Sequence, residues 1–235
     1  MPERLALMGD VHANLPALRA VLEAIAAAGF TQGACTGDLV MRGADPEGCV
    51  AALRSLGWPC VMGNTDHKTA HRPPRPKDHP KAARVGSRAW STNQLSRSSL
   101  AYLAGLPMVW RLTLKGWRIA VVHGAPDDTR QAVDGDTARS DVRRLIKSLD
   151  GPHCIVSGHT HRPLVREVDG CLLVNPGSVG EALDGDLRPR WAWLEARRSG
   201  LLAHLEAVAA PLATVRGAAG SRTAACRASG WSSPG

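Results

Sequence analysis

Six short β-rich runs along this chain end on a glycine paired with a polar residue. They occupy residues 4–10 (RLALMGD), 32–38 (QGACTGD), 60–66 (CVMGNTD), 118–124 (RIAVVHG), 154–161 (CIVSGHTH) and 171–177 (CLLVNPG). Each predicts a buried strand, because a brief apolar run bounded by turn residues is what an interior strand looks like. Between the first two lies a helix. Leu18, Val21, Leu22 and Ile25 share one stripe, Pro16 suits the first turn and Gly29 can close it. Residues 50–56 and 141–149 read as further helices. Lys115-Gly116 and Arg198-Ser199-Gly200 read as turns joining antiparallel strand pairs. Strand and helix alternate early and antiparallel pairs follow, which predicts an α/β layered domain with mixed sheets.

Metal-binding side chains stand at the carboxyl ends of these runs. Asp10 and His12 follow the first, Asp38 the second, and Asn64 and Asp66 the third. His123 follows the fourth, and His159 and His161 the fifth. In an open α/β sheet that edge is where ligands bind. Asp10-x-His12 puts a carboxylate and an imidazole on one side of an extended segment, and His159-x-His161 does the same with two imidazoles. Asp38 offers an oxygen able to bridge two cations, and Asn64 a neutral amide oxygen. Mixed imidazole and carboxylate donors suit Mn, Fe, Ni or Zn. Two such ions can clamp a phosphate between them.

Charge argues less than it first suggests. The formal net charge is +8. Residues 67–88 hold seven Lys/Arg against one Asp, and residues 214–235 three Arg and no acid, so the remainder is close to neutral. The excess belongs to an insert and a tail, which argues against a nucleic-acid partner for the core. The insert also holds four Pro and reads as a loop or lid. From about residue 211 the chain is Ala/Gly/Ser/Arg-rich without apolar period, which predicts a disordered tail after a domain spanning 1–210. Six Cys without a C-x-x-C pattern read as small buried residues in a reducing compartment. No apolar run spans a membrane, and the N-terminus lacks signal-peptide anatomy, so the expected location is cytoplasmic.

The series Asp10-Val-His12, Gly37-Asp38, Gly63-Asn64-x-Asp66, His123-Gly124 and Gly158-His159-Thr160-His161 resembles the calcineurin-like metallophosphoesterase family, over roughly residues 4–206. Asn175-Pro-Gly-Ser-Val-Gly180 is similar to a segment that follows the last motif in small bacterial members. The resemblance implies a four-layer α-β-β-α sandwich, two facing mixed β-sheets flanked by helices. It implies two divalent ions, one held by Asp10, His12, Asp38 and His161, the other by Asp38, Asn64, His123 and His159. The implied reaction is attack of a metal-bound hydroxide on a small phosphoester or phosphoprotein. One departure stands out: many members carry His directly after the third-motif Asn, and this chain has Thr65, which is no general acid near neutral pH.

Other candidates carry two readings each. Asn64 and Asp66 are the candidate catalytic residues, with Asp66 either orienting a ligand or capping a helix. Asn14 could contact substrate or cap the helix after His12. Arg42 could pair with a phosphate oxygen or be solvated at the surface. Two rival functions share the core: a non-catalytic scaffold, as in a vesicle-coat subunit of similar fold that has lost ligands, and a nuclease using the basic insert.

Overall fold

The computed structural model describes residues 4–72 and 80–209. Two mixed β-sheets face each other, with helices on both outer sides. The first contains β1 (Arg4–Met8), β2 (Gly33–Cys35), β8 (Arg190–Arg197) and β9 (Gly200–Ala207) in the order β2-β1-β8-β9. The second contains β3 (Val109–Leu114), β4 (Trp117–Val122), β5 (Cys154–Val156), β6 (Leu164–Val168) and β7 (Cys171–Asn175) in the order β3-β4-β5-β7-β6. The β1–β2, β4–β5 and β5–β7 pairs are parallel, and the remaining pairs are antiparallel.

Alternation along a strand feeds two cores at once. Leu5 and Leu7 of β1 point between the sheets, where they meet Ile119, Val121, Val156 and Val174. Ala6 and Met8 point the other way, onto α1 (Leu15–Ala27) and α2 (Pro46–Leu56) through Leu18, Val21, Val50 and Leu53. On the far side, Ile155 and Leu173 pack against Val142, Leu145 and Leu149 at α6 (Arg139–Ser148). Three apolar layers therefore separate four layers of secondary structure.

The remaining helices are α3 (Asn64–His71), α4 (Arg88–Gln94) and α5 (Arg97–Ala104). They correct two expectations. Residues 60–66 do not form a strand: Cys60 makes one isolated parallel bridge to Cys35, and Gly63 then caps α3. The Asp66 carboxylate accepts from the Gly63 N–H at 3.0 Å, and this closes the first turn. The supposed loop at 67–88 begins as the second half of α3, makes a 3-10 turn at Pro80–Ala82 and ends at the start of α4. Residues 73–79 within it lie outside the described residues, as does the tail expected to be disordered. The α3 segment has no apolar stripe, so periodicity was silent there. Strand β6 was missed too, although Asp169-Gly170 (φ 51° and 77°) is a recognisable hairpin turn. Among the described residues no helix is long and apolar enough to cross a membrane.

Candidate metal centre

The carboxyl ends of β1, β2, β4 and β5 converge at one edge of the facing sheets. Loops leaving β1 and β2 stay laced together beyond the strands, with Asp10 N–H donating to Gly37 O and His12 N–H to Asp38 O, both at 2.9 Å. The β7–β8 connection braces them. Ser178 Oγ donates to Asp10 O at 2.8 Å, and Asn175 Nδ2 to Gly158 O at 2.8 Å. The Asn175–Gly180 segment thus ties the Asp10 loop to the loop carrying His159 and His161.

Two side-chain groups result. In the first, ligand atoms of Asp10, His12, Asp38 and His161 all lie within 4.8 Å of one another, and all four residues are buried. His161 Nε2 is 3.4 Å from Asp10 Oδ1, and His12 Nε2 is 3.6 Å from Asp38 Oδ2. In the second, His123 Nε2 lies 3.5 Å from Asp38 Oδ1 and 3.3 Å from Asn64 Oδ1. The His159 ring stands edge-on to His123 with centroids 5.3 Å apart. Asp38 stands between them, one oxygen toward each group.

Tautomers follow from outer contacts. His123 Nδ1 lies 2.8 Å from Thr36 O, and His161 Nδ1 lies 2.6 Å from Glu181 O. A carbonyl only accepts, so in both rings Nδ1 carries the proton and Nε2 turns a lone pair inward. Burial pushes the His12 pKa well below its usual range, against the pull of Asp38. Burial, with Arg42 adding to it, brings His161 down to about 4. The His12 and His161 rings are therefore neutral near pH 7, which is the form that binds metal.

The carboxylates complete the fit to a divalent cation. Asp10 is held well above the usual carboxylate range by burial and by Asp38. Its Oδ1 is buried without a hydrogen-bond partner among the described residues. Asp38 is buried as well, yet His123, His12 and the Thr65 N–H hold it below the usual range. A partnerless carboxylate oxygen among inward lone pairs is the kind of donor set that a divalent cation takes.

Backbone geometry carries a further mark. Asp10, His12, Asp38, His159 and His161 all adopt positive φ, at 50°, 49°, 55°, 70° and 58°. Such conformations cost on the order of 1 kcal/mol or more each for non-glycine residues and persist where surrounding structure imposes them. Glycine is required at Gly63, where a Cβ would fall 2.2 Å from both Asp38 N and Asp38 Oδ1.

Other sequence candidates take different places. Asp66 reaches no ligand: its two oxygens accept from the N–H groups of Asp38 (2.8 Å), Leu39 (2.8 Å) and Gly63 (3.0 Å). It clamps the backbone that positions Asp38 and closes the first turn of α3, so the orienting and capping readings of Asp66 are both met by these contacts. Asn14 caps α1 by accepting from Ala17 N–H at 3.2 Å and donates to Gly180 O at 3.2 Å. Both its polar ends are occupied, which favours the cap over substrate contact. Thr65 donates its hydroxyl to Val40 O at 2.9 Å, so the residue replacing the familiar His is committed to the scaffold. Arg42 sits half-exposed at the mouth, ion-paired with Glu181. Its charge acts on Asp10, His12 and His161. Sequence reasoning missed Glu181; its one signal was adjacency to the Asn175–Gly180 segment.

Residues 4–199 match the model of the calcineurin-like phosphoesterase superfamily domain. The chain belongs to that superfamily. A metallophosphoesterase from Sphaerobacter thermophilus has a similar crystal structure, with TM-score 0.73 and 27% identity over 93% of this chain and 98% of that one. An uncharacterized protein of Methanocaldococcus jannaschii is 28% identical over 77% of this chain and 78% of its own length. A probable metallophosphoesterase of Methanothermobacter thermautotrophicus is 35% identical over 28% of this chain and 33% of its own. Superfamily membership and the buried Asp/His group together make this chain a metal-dependent phosphoesterase.

Proposed function

We propose that the protein hydrolyses small phosphoesters at a dinuclear divalent-metal centre. Asp10, His12, Asp38 and His161 hold one ion, and Asp38, Asn64, His123 and His159 hold the other. The observation that carries this reading is the placement of Asp38, with Oδ2 toward His12 and Oδ1 toward His123. When bound, such a pair activates a water as nucleophile and offsets charge on the phosphoryl oxygens.

The chain's own residues divide the remaining work. The Thr36 and Glu181 carbonyls fix the ring tautomers of His123 and His161. Asp66 holds the Asp38 backbone, and Gly63 lets it approach. Arg42, at the mouth, is the group placed to meet a phosphate oxygen, and Glu181 holds it there. With the Thr65 hydroxyl committed to Val40 O, no acid stands at that position to protonate a departing alkoxide. Esters with good leaving groups are therefore favoured.

The test compares p-nitrophenyl phosphate with its bis-ester across Mn, Ni, Zn and Mg, alongside metal content. Activity should need added metal and should vanish in Asp38→Asn and His123→Ala. Hydrolysis that survives complete metal removal would end this reading.

A further inference from the structure

The phosphoesterase centre uses none of the cysteines, and two of them have a special relation. Cys35 ends β2 and Cys60 is its partner in an isolated parallel bridge. Cys35 N–H donates to Pro59 O at 2.9 Å and Val61 N–H to Cys35 O at 3.0 Å, fixing the pair between flanking bonds. Bridged residues on neighbouring strands lie about 4.8 Å apart, within the roughly 4.4–6.8 Å that a disulfide spans. Both side chains belong to the same core cluster, on the helix side of the first sheet. Cys60 Sγ donates to Trp58 O at 3.6 Å, and the Cys35 thiol and Tyr102 hydroxyl stand near enough to act on it electrostatically.

We infer that Cys35 and Cys60 form a redox-modification site, whose disulfide would loosen the metal centre built on Asp38 and Asn64. Peroxide is the oxidant. Cys60, 4% exposed against 0% for Cys35, is the less completely buried thiol of the two. Cys35 and Tyr102 also draw its pKa below the usual thiol range. Its thiolate attacks peroxide, an S–O bond forms, the O–O bond breaks, and the departing hydroxide takes a proton to become water. The Cys35 sulfur then attacks the Cys60 sulfur, the S–S bond forms, and the sulfenic oxygen leaves as a second water with the Cys35 proton. Two thiols lose two electrons and one peroxide becomes two waters.

The consequence for the site follows from chain connectivity. Asp38 lies three residues past Cys35 and Asn64 four past Cys60. Parallel neighbours hold their Cβ atoms near the strand spacing of about 4.8 Å, whereas a disulfide needs about 3.8 Å, so bonding pulls the two segments together by roughly 1 Å. Thr36–Asp38 and Val61–Asn64 have no slack to absorb this, since Gly63 already abuts Asp38. Cys154 and Cys171 provide an internal control. They lie near each other on β5 and β7, but Cys154 packs between the sheets and Cys171 packs toward α6, on opposite faces.

The experiment treats metal-free full-length protein with hydrogen peroxide, alkylates the remaining thiols, maps peptides by mass and titrates Mn. The expected result is a Cys35–Cys60 linked peptide, Cys154 and Cys171 still alkylated, and Mn binding at least tenfold weaker until dithiothreitol is added. Cys60→Ser and Cys35→Ala should keep their Mn affinity through the same treatment. Oxidation of Cys60 without the linked peptide overturns the inference, as does a linked peptide with Mn binding unchanged. The linked peptide is read in the wild-type chain whether or not metal binds or either variant folds, so its failure is distinct from failure of the metal centre.

Discussion

Gly63→Ala is the most telling single substitution, because one methyl group meets Asp38, the bridging ligand of the proposed centre. The added Cβ would lie 2.2 Å from Asp38 N and Oδ1, whereas ordinary contacts begin at 3.4 Å. One side must therefore retreat by roughly 1 Å. Neither backbone can do so freely, since Asp66 Oδ2 accepts from both Gly63 N–H (3.0 Å) and Asp38 N–H (2.8 Å). Overpacking of this kind costs about 1–3 kcal/mol, or roughly 5 °C in Tm for a chain this size. A reacting or ligating group misplaced by about 1 Å costs on the order of 100-fold in rate. Hydrolysis of the bis-p-nitrophenyl ester with Mn, measured beside calorimetry, should show both effects. Gly57→Ala is the control: its φ is 70° with nothing within 4 Å, so it should lose about 1 kcal/mol and no activity. A Gly63→Ala protein within threefold of wild-type rate would refute the argument that this approach positions Asp38.

Asn14→Ala removes an N-cap and should cost about 1 kcal/mol of stability by denaturant titration, with KM unchanged; a raised KM would instead restore Asn14 to substrate binding. Arg42→Ala should raise KM more than it lowers kcat, and equal losses in both would place Arg42 elsewhere in the mechanism. In the metal-free protein His161 should oppose folding in acid. It titrates near 4 when folded against 6.5 in its ordinary state, so below about pH 6.5 the unfolded chain takes this proton first. The share of His161 is nil above that pH and grows to a loss of up to ~3 kcal/mol toward pH 4, while Asp10 and Asp66, both raised, act in the opposite sense. Urea titrations at pH 7.5 and 4.5 should therefore show His161→Gln gaining stability relative to the parent chain at the lower pH, and an equal difference at both would refute this. Saturating Mn at about 100 times its Kd should add ~2.7 kcal/mol to the metal-free protein, and chelator should remove it.

Sequence and tertiary structure divided the work along a physical line. Strand β1 and helix α1 were legible because a short apolar run bounded by turn residues and an apolar stripe of period 3.6 are local properties of the chain. The donor set from Asp10 to His161 was legible because its members sit in fixed order at run ends, and a ligand's identity is chemical, not conformational. Helix α3 was not legible. Its residues are polar all round, and what closes its first turn is the Asp66 carboxylate on the Gly63 N–H, a carboxylate also shared with the Asp38 loop. The same carboxylate could not be told from a catalytic one until its three amide donors were seen. Likewise no sequence pattern pairs Arg42 with Glu181, 139 residues apart, or sets five candidate ligands in left-handed backbone. Which atoms can bind a metal is written in side-chain chemistry. Which of them face a common point, with which tautomer and on which strained loop, depends on contacts that exist only once both sheets have packed.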